Sequence, residues 1–297
     1  MPAPIALFVY NRPWHTTQTV NALSQNALAS ESDLVIFSDG PKTESDVKLV
    51  EDVRSFIQTI SGFKSVKIIS SETNKGLAES IITGVTEVLK SYESIIVMED
   101  DLVTSPQFLS FMNQALTLYS EDERVISIHG YVYPVKQSLP FTFFLRGADC
   151  WGWATWRRGW SIFESDGSSL LKKLNELGLI HTFDFDGAYS YSRMLKDQIA
   201  GKNNSWAVRW HASAFLANRL TLYPAVSFVN NIGLDNSGTH SGVSVDYEGE
   251  LNTEELLLRK IPIEESKVAF KVFSRYLRGV DNSITSKIIY KIKNIFN

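Results

Sequence analysis

Ile5–Tyr10 (IALFVY) is apolar at every position, and the chain then turns polar at Asn11-Arg12. A run without alternation suits a strand buried on both faces. The same figure recurs three times. Leu34–Phe37 ends in Ser38-Asp39-Gly40-Pro41-Lys42, Val66–Ile69 leads to Asn74-Lys75-Gly76, and Ile95–Met98 ends in Glu99-Asp100-Asp101. Helical periodicity fills the intervals. Pro13 suits a first turn, and Val20, Leu23, Ala27 and Leu28 give that helix an apolar face. Glu44–Ile60 and Gly76–Leu89 read as further helices. Ser105 can cap a helix running through Phe108, Phe111, Met112, Leu116 and Tyr119, and Val125–Ile128 reads as a fifth strand. This order predicts an α/β fold, a central and mostly parallel sheet with helices on both faces. Ligands on such sheets sit beyond the carboxyl ends of the strands. The four polar strand ends are therefore expected to converge on one crevice.

Beyond residue 140 the regular order is lost. Helices are predicted near 168–178, 188–200 and 205–217, and strands near 219–223 and 226–230. Residues 230–250 are polar and rich in Gly, Asn and Ser, which predicts a loop. No internal repeat or low-complexity tract occurs.

With 297 residues, 44% of them apolar and 12% aromatic, the chain has ample material for a core. No apolar run is long enough to cross a bilayer, and the N-terminus has neither a basic leader nor a cleavage site, so a cytoplasmic protein is expected. The single cysteine, Cys150, excludes an internal disulfide and fits a reducing compartment. Charge is uneven. Residues 267–297 carry a balance of +6, whereas the preceding 266 carry −10. Residues 1–266 are read as one domain, with a nucleotide-binding half (1–130) and an acceptor half (131–266). Residues 267–297 are read as a separate basic tail. Within that tail Ile284, Ile288, Ile289, Ile292, Ile295 and Phe296 share a helical face opposed by Lys287, Lys291 and Lys293. The pattern suits either an anionic membrane surface or docking on the domain, and peripheral attachment at the cytoplasmic face of a membrane is the expectation.

Three adjacent carboxylates at one strand tip repel one another, the more so in a low dielectric. Glu99, Asp100 and Asp101 suit a Mg²⁺ or Mn²⁺ ion, which takes one or two carboxylates together with phosphate and water oxygens. The ordinary alternative is a solvated acidic turn. Arg12 offers a fork of donors for a phosphate, or is a surface arginine before a helix. Asp39 can accept a base N–H, or makes an ordinary Asp-Gly turn. Asn74-Lys75-Gly76 opens a helix, where backbone N–H groups favour anions. Trp151, Gly152 and Trp153 belong to WGWATW, in which three tryptophans fall within six residues. Indoles there can stack on a sugar or pack in a core. His240, in NSGTHSG, can reach a metal or a diphosphate if its loop closes. No Gly-x-Ser-x-Gly, Cys-His pair or HExxH occurs.

The chain resembles the GT-A glycosyltransferases that use nucleotide-sugar donors, especially bacterial family 2-like sugar transferases of surface polysaccharide assembly. More distantly it is similar to N-acetylglucosaminyltransferase I. FVYNRP, IFSDG, VMEDDL, DCWGWATW and IGLDNSGTHSG carry the resemblance, which spans about residues 4–240. It implies that Arg12 contacts the nucleotide and that Asp39 binds a uracil. It also implies that Asp101 binds the metal, with Glu99 and Asp100 facing the donor sugar and ribose. The Trp segment would line donor and acceptor, and the loop around His240 would close over the diphosphate. The expected reaction moves a sugar from a nucleotide-diphosphate donor, a UDP-sugar, to a hydroxyl of a growing surface glycan, which the basic tail allows to be lipid-linked. No nucleic-acid partner is expected. The acid that inverting members place before their Tyr-Pro strand is missing from Ser205–Trp210, so Asp197 and Asp186 are the candidate bases and the stereochemistry stays open. A sugar nucleotidyltransferase, or a non-catalytic nucleotide- or glycan-binding protein on the same fold, are the alternatives.

Overall fold

The computed structural model describes residues 1–235, 247 and 249–279. Among the described residues there are ten strands: β1 (Ile5–Val9), β2 (Asp33–Ser38), β3 (Ser65–Ser70), β4 (Ser94–Glu99), β5 (Leu102–Thr104), β6 (Val125–His129), β7 (Thr142–Arg146), β8 (Trp153–Trp156), β9 (Leu220–Pro224) and β10 (Val229–Asn231). The α-helices up to residue 216 are α1 (Pro13–Ser24), α2 (Val47–Ile57), α3 (Leu77–Ser91), α4 (Phe108–Leu118), α5 (Arg157–Trp160), α6 (Gly167–Glu176), α7 (Ile180–Phe183), α8 (Tyr191–Ile199) and α9 (Trp206–Leu216). A further helix, α10, covers residues 267–279.

Eight strands form one sheet in the order β3-β2-β1-β4-β8-β6-β9-β7. Six of them point the same way, and β7 and β8 run against the rest. The fold is therefore mixed α/β with a mostly parallel sheet. Strand β1 shows why its sequence is apolar throughout. Ile5, Leu7 and Val9 enter one core with α1 and α4, while Ala6 and Phe8 enter a second core with α3 and α9. Both faces are covered, so neither parity can be polar.

The second half of the sheet differs from the sequence expectation. β7 and β8 replace what read as irregular chain, because short antiparallel strands leave little periodic trace. β8 inserts between β4 and β6, pairing Trp153 with Val97 on one side and with His129 on the other. Being antiparallel, it brings its beginning, not its end, to the carboxyl edge of its neighbours.

Helix α10 packs Ala269, Phe273 and Leu277 against Phe143, Leu145 and Tyr223. Lys267, Lys271, Arg275 and Arg278 stay on its exposed face. The apolar stripe of this stretch is thus covered by the domain itself, and any separate tail begins no earlier than residue 280. Residues 280–297, including the isoleucine face, lie outside the described residues. No described helix is long and apolar enough to cross a membrane.

Candidate active site

The carboxyl ends of β1 to β4, β6 and β9 meet at one edge of the sheet, as the polar strand ends implied. Three polar clusters line it.

The first lies at β2 and β3 and centres on Asp39. Its Oδ1 accepts the backbone N–H groups of Gly40 and Lys75, both at 2.9 Å. Its Oδ2 accepts Gly76 N–H at 2.8 Å and the Asn74 side chain at 3.0 Å. Four donors occupy both oxygens of a buried carboxylate. Asp39 is therefore the anion that the N-terminus of α3 binds, and the N–H groups of Lys75 and Gly76 are committed to it. A base N–H could join only by displacing one of them. Gly76 has φ +78°, a conformation that suits glycine, and this turns its N–H toward Asp39. The Lys75 side chain stays exposed. Arg54 of α2 braces the same corner through the carbonyls of Asp39 (3.2 Å) and Ser71 (2.6 Å).

The second cluster joins β1 to β4. Arg12 lies against both Asp100 and Asp101. Its Nη2 contacts Asp100 Oδ1 closely and stands 2.9 Å from Asp101 Oδ2, while its Nε reaches Asp100 Oδ2 at 3.4 Å. The Asp100 side chain is only 6% exposed, so it points inward as the clamp of Arg12 rather than outward to a ribose. Burial would lower the Arg12 pKa, but the charges of Asp100 and Asp101 together outweigh it and hold the guanidinium above its ordinary value. Burial, then the charges of Asp101 and Asp100, push the Glu99 carboxyl up to about 8. Burial raises the Asp100 carboxyl as well, against the opposing charge of Arg12, so the tip carries less negative charge than three free carboxylates would.

The segment after β10 lies over this tip. β10 pairs antiparallel with β5, and Ile232 N–H donates to the Asp101 carbonyl at 2.9 Å. At Gly233 a Cβ would collide with Asp101 Oδ2 and stand 2.9 Å from Arg12 Nη1, so only glycine lets the backbone pass this close against the pair. Asp235 closes the arrangement on His15 of α1 at 3.1 Å. His240 lies outside the described residues.

Among the described residues no group of three His, Cys, Asp or Glu side chains could hold an ion alone. The tip does fit a Mg²⁺ or Mn²⁺ that takes most of its oxygens from diphosphate and water. Asp101, partly exposed at the tip, supplies a hard oxygen.

The third cluster lies at β6, β8 and β9. In a regular strand Trp151 and Trp153 would share a face. Gly152, at φ +59°, breaks the alternation. Trp153 turns into the core, fully buried with Trp160, Trp206 and Trp210. The expectation that Trp153 lines a sugar site is thus corrected, since no surface of its ring is left. Trp151 stays half-buried, edge-on to Tyr131 at 4.7 Å and to Tyr247 at 5.7 Å. Its backbone N–H donates to His129 Nε2 at 3.1 Å, and Gly130 N–H donates to the Gly152 carbonyl at 2.7 Å. Burial holds His129 down at about 3, so its imidazole is neutral and free to accept.

Neither candidate base belongs to these clusters. Asp197 sits on α8 in an ion pair with Lys202 at 3.2 Å. Asp186 is an exposed turn residue with φ +52°, and its carbonyl accepts from Arg278. Among the described residues neither makes a hydrogen bond or ion pair with Arg12, Asp100 or Asp101. The carboxylate found at the edge is instead Asp149, two residues before Trp151. Its Oδ2 accepts the Tyr223 hydroxyl at 3.0 Å. The signal was an acid at the mouth of the Trp strand, but it carried meaning only once β8 was known to run antiparallel.

No family model matches the chain, and no curated protein matches it. Solved structures give partial likenesses. The mannosyltransferase PcManGT from Pyrobaculum calidifontis, in complex with GDP-Man and Mn²⁺, is 14% identical over 45% of this chain and 38% of its own, with a TM-score of 0.34. S. aureus TarS is 18% identical over 59% of this chain and 49% of the compared chain, with a TM-score of 0.33. A UDP-glucose pyrophosphorylase complexed with UDP-glucose is 12% identical over 75% of this chain and 90% of its own, with a TM-score of 0.37. The chain spans less than half the length of the first two. These likenesses do not show the resemblance to N-acetylglucosaminyltransferase I.

Proposed function

We propose that the protein is a glycosyltransferase that moves a sugar from a nucleotide-diphosphate donor, a UDP-sugar, to a glycan hydroxyl. One observation carries the reading. The carboxyl end of β4 presents Asp101 beside Arg12, at the same sheet edge as the half-buried Trp151. Arg12 would draw a phosphate oxygen, since its guanidinium is charged at any working pH. Asp101 would hold Mg²⁺ or Mn²⁺, which supplies charge stabilisation for the departing diphosphate. Asp39 would act on the nucleotide by fixing the 74–76 turn. Trp151 would offer an indole face to a pyranose.

The nucleotidyltransferase alternative has less support, because β1 passes through Tyr10-Asn11-Arg12 directly into α1 with no glycine-rich loop. The acceptor is proposed to be lipid-carried at the cytoplasmic face of a membrane, on the strength of the basic C-terminal residues. Undiminished vesicle co-sedimentation by a protein lacking residues 283–297 would remove that part. The main test is nucleoside diphosphate release from UDP- and GDP-sugars, with Mn²⁺ and with EDTA. UDP release that needs the metal and is lost in Asp101→Ala supports the reading. Pyrophosphate release from UTP and a sugar phosphate, or metal-independent turnover by Asp101→Ala, would contradict it.

A further inference from the structure

Asp149 is an ionisable group at the carboxyl edge that donor binding does not use. The chain before Trp153 runs out past the ends of β4 and β6, because Trp153 pairs with both Val97 and His129. Both sides of Asp149 are pinned. His211 of α9 places Nδ1 2.9 Å from the Ala148 carbonyl, and Trp151 N–H is held by His129. Gly147, at φ +103°, faces the His211 ring, where a Cβ would collide. A carboxylate fixed this firmly, yet half-buried at a ligand edge, is placed rather than merely accommodated.

Its surroundings are unusual for an aspartate. The groups facing it are the hydroxyls of Tyr131 and Tyr133 after β6, Tyr191 on α8 and Tyr223 on β9, with the thiol of Cys150. None is a cation. Among the described residues its only hydrogen bond is the one from Tyr223. Burial pushes its carboxyl up to about 6, and the Tyr223 hydroxyl opposes that rise. The thiol of the adjacent Cys150 feels the charges of Glu99 and Asp101 as well as that of Asp149, so the two groups of acids share this edge.

We propose that Asp149, backed by Tyr223 and beside the half-buried Trp151, forms the acceptor subsite for a pyranose and is the base that takes the proton of the attacking hydroxyl. The proposal rests on the donor reading above. The acceptor's O–H proton passes to an Asp149 oxygen. The acceptor oxygen bonds to the donor's anomeric carbon as the bond from that carbon to the diphosphate breaks, and the electron pair leaves on the diphosphate oxygen. A single displacement of this kind inverts the anomeric centre. Aromatic rings suit the C–H face of the sugar, and the carboxylate suits one of its hydroxyls.

The test uses the full-length protein with Asp149→Asn and Tyr223→Phe. Calorimetry follows UDP binding in Mn²⁺. Transfer is measured from a panel of UDP- and GDP-sugars to p-nitrophenyl glycosides. UDP binding should be unchanged in Asp149→Asn, while transfer falls by roughly 10²–10⁴-fold. Wild-type kcat/KM should rise with pH through about 6. Tyr223→Phe should move that limb to higher pH, because it removes the bond that holds the carboxyl down, a change that general damage would not produce. Wild-type transfer by Asp149→Asn, an acid limb indifferent to Tyr223→Phe, or a product of retained configuration would overturn the assignment while leaving the donor reading intact. A wild-type protein that binds no UDP and transfers from no donor would overturn both. If Asp149→Asn does not fold, the Tyr223→Phe profile decides alone.

Discussion

Asp149 should weaken the fold in proportion to its ionisation. Its carboxyl is raised from 3.8 to about 6 by burial. Below pH 3.8 the group is protonated in both folded and unfolded chains and has no effect on their balance. Between about 4 and 6 the unfolded chain loses its proton first, so stability falls as pH rises, and the cost is complete above the folded value. Two pKa units correspond to about 3 kcal/mol. Asn at this position stays neutral and still accepts the Tyr223 hydroxyl through its amide oxygen. Asp149→Asn should therefore gain on the wild type by up to about 3 kcal/mol between pH 4 and 7, then hold level. Urea unfolding of both proteins across that range measures it. The difference between the two curves cancels every other titrating group. A difference that stays flat with pH, or one that shrinks toward pH 7, would refute the burial argument. A stabilised variant that has also lost transfer would mark Asp149 as a group kept for function at the expense of stability.

Three further outcomes follow from the other clusters. Asp39→Asn replaces an oxygen that accepts two donors with an amide that accepts none, so unfolding free energy should fall by about 2–4 kcal/mol; an unchanged urea midpoint would mean that water readily replaces the carboxylate. Trp153→Ala should cost about 3–5 kcal/mol as a core deletion, whereas Trp151→Ala should cost less and act mainly on transfer; equal destabilisation by the two would contradict the split that Gly152 imposes. Gly233→Ala should leave the fold intact but weaken UDP binding in Mn²⁺ by roughly tenfold or more, by forcing Asp101 or Arg12 aside; calorimetry showing native affinity would mean that the placement of these two side chains does not set donor binding.

The parallel half of the sheet was legible because β1, β2 and β4 are buried on both faces, and such strands read as unbroken apolar runs. Their polar ends then located the edge without any knowledge of contacts. The antiparallel strands were not legible. Trp153–Trp156 read as an aromatic cluster, since nothing in WGWATW says that Gly152 takes a left-handed turn and sends its two flanking indoles to opposite sides. The same limit applied to chemistry. Asp39 read as an open acceptor, but whether a carboxylate is free depends on donors 35 to 37 residues away in the chain. Asp100 read as a ligand-facing acid, yet parity at the strand end turned it onto Arg12. Asp149 is not legible as a site residue because its partner, Tyr223, is 74 residues distant. The seven cations of the C-terminal stretch read as one object, whereas four of them ride on α10, whose apolar side is already packed.

The donor site is tested most directly by a crystal of the protein grown with UDP and Mn²⁺ and measured at the manganese edge. The account predicts one anomalous peak beside the Asp101 carboxylate, with the diphosphate between that ion and the Arg12 guanidinium. An ion or a nucleotide bound elsewhere, with Arg12 still closed on Asp100 and Asp101 and nothing before it, would contradict it.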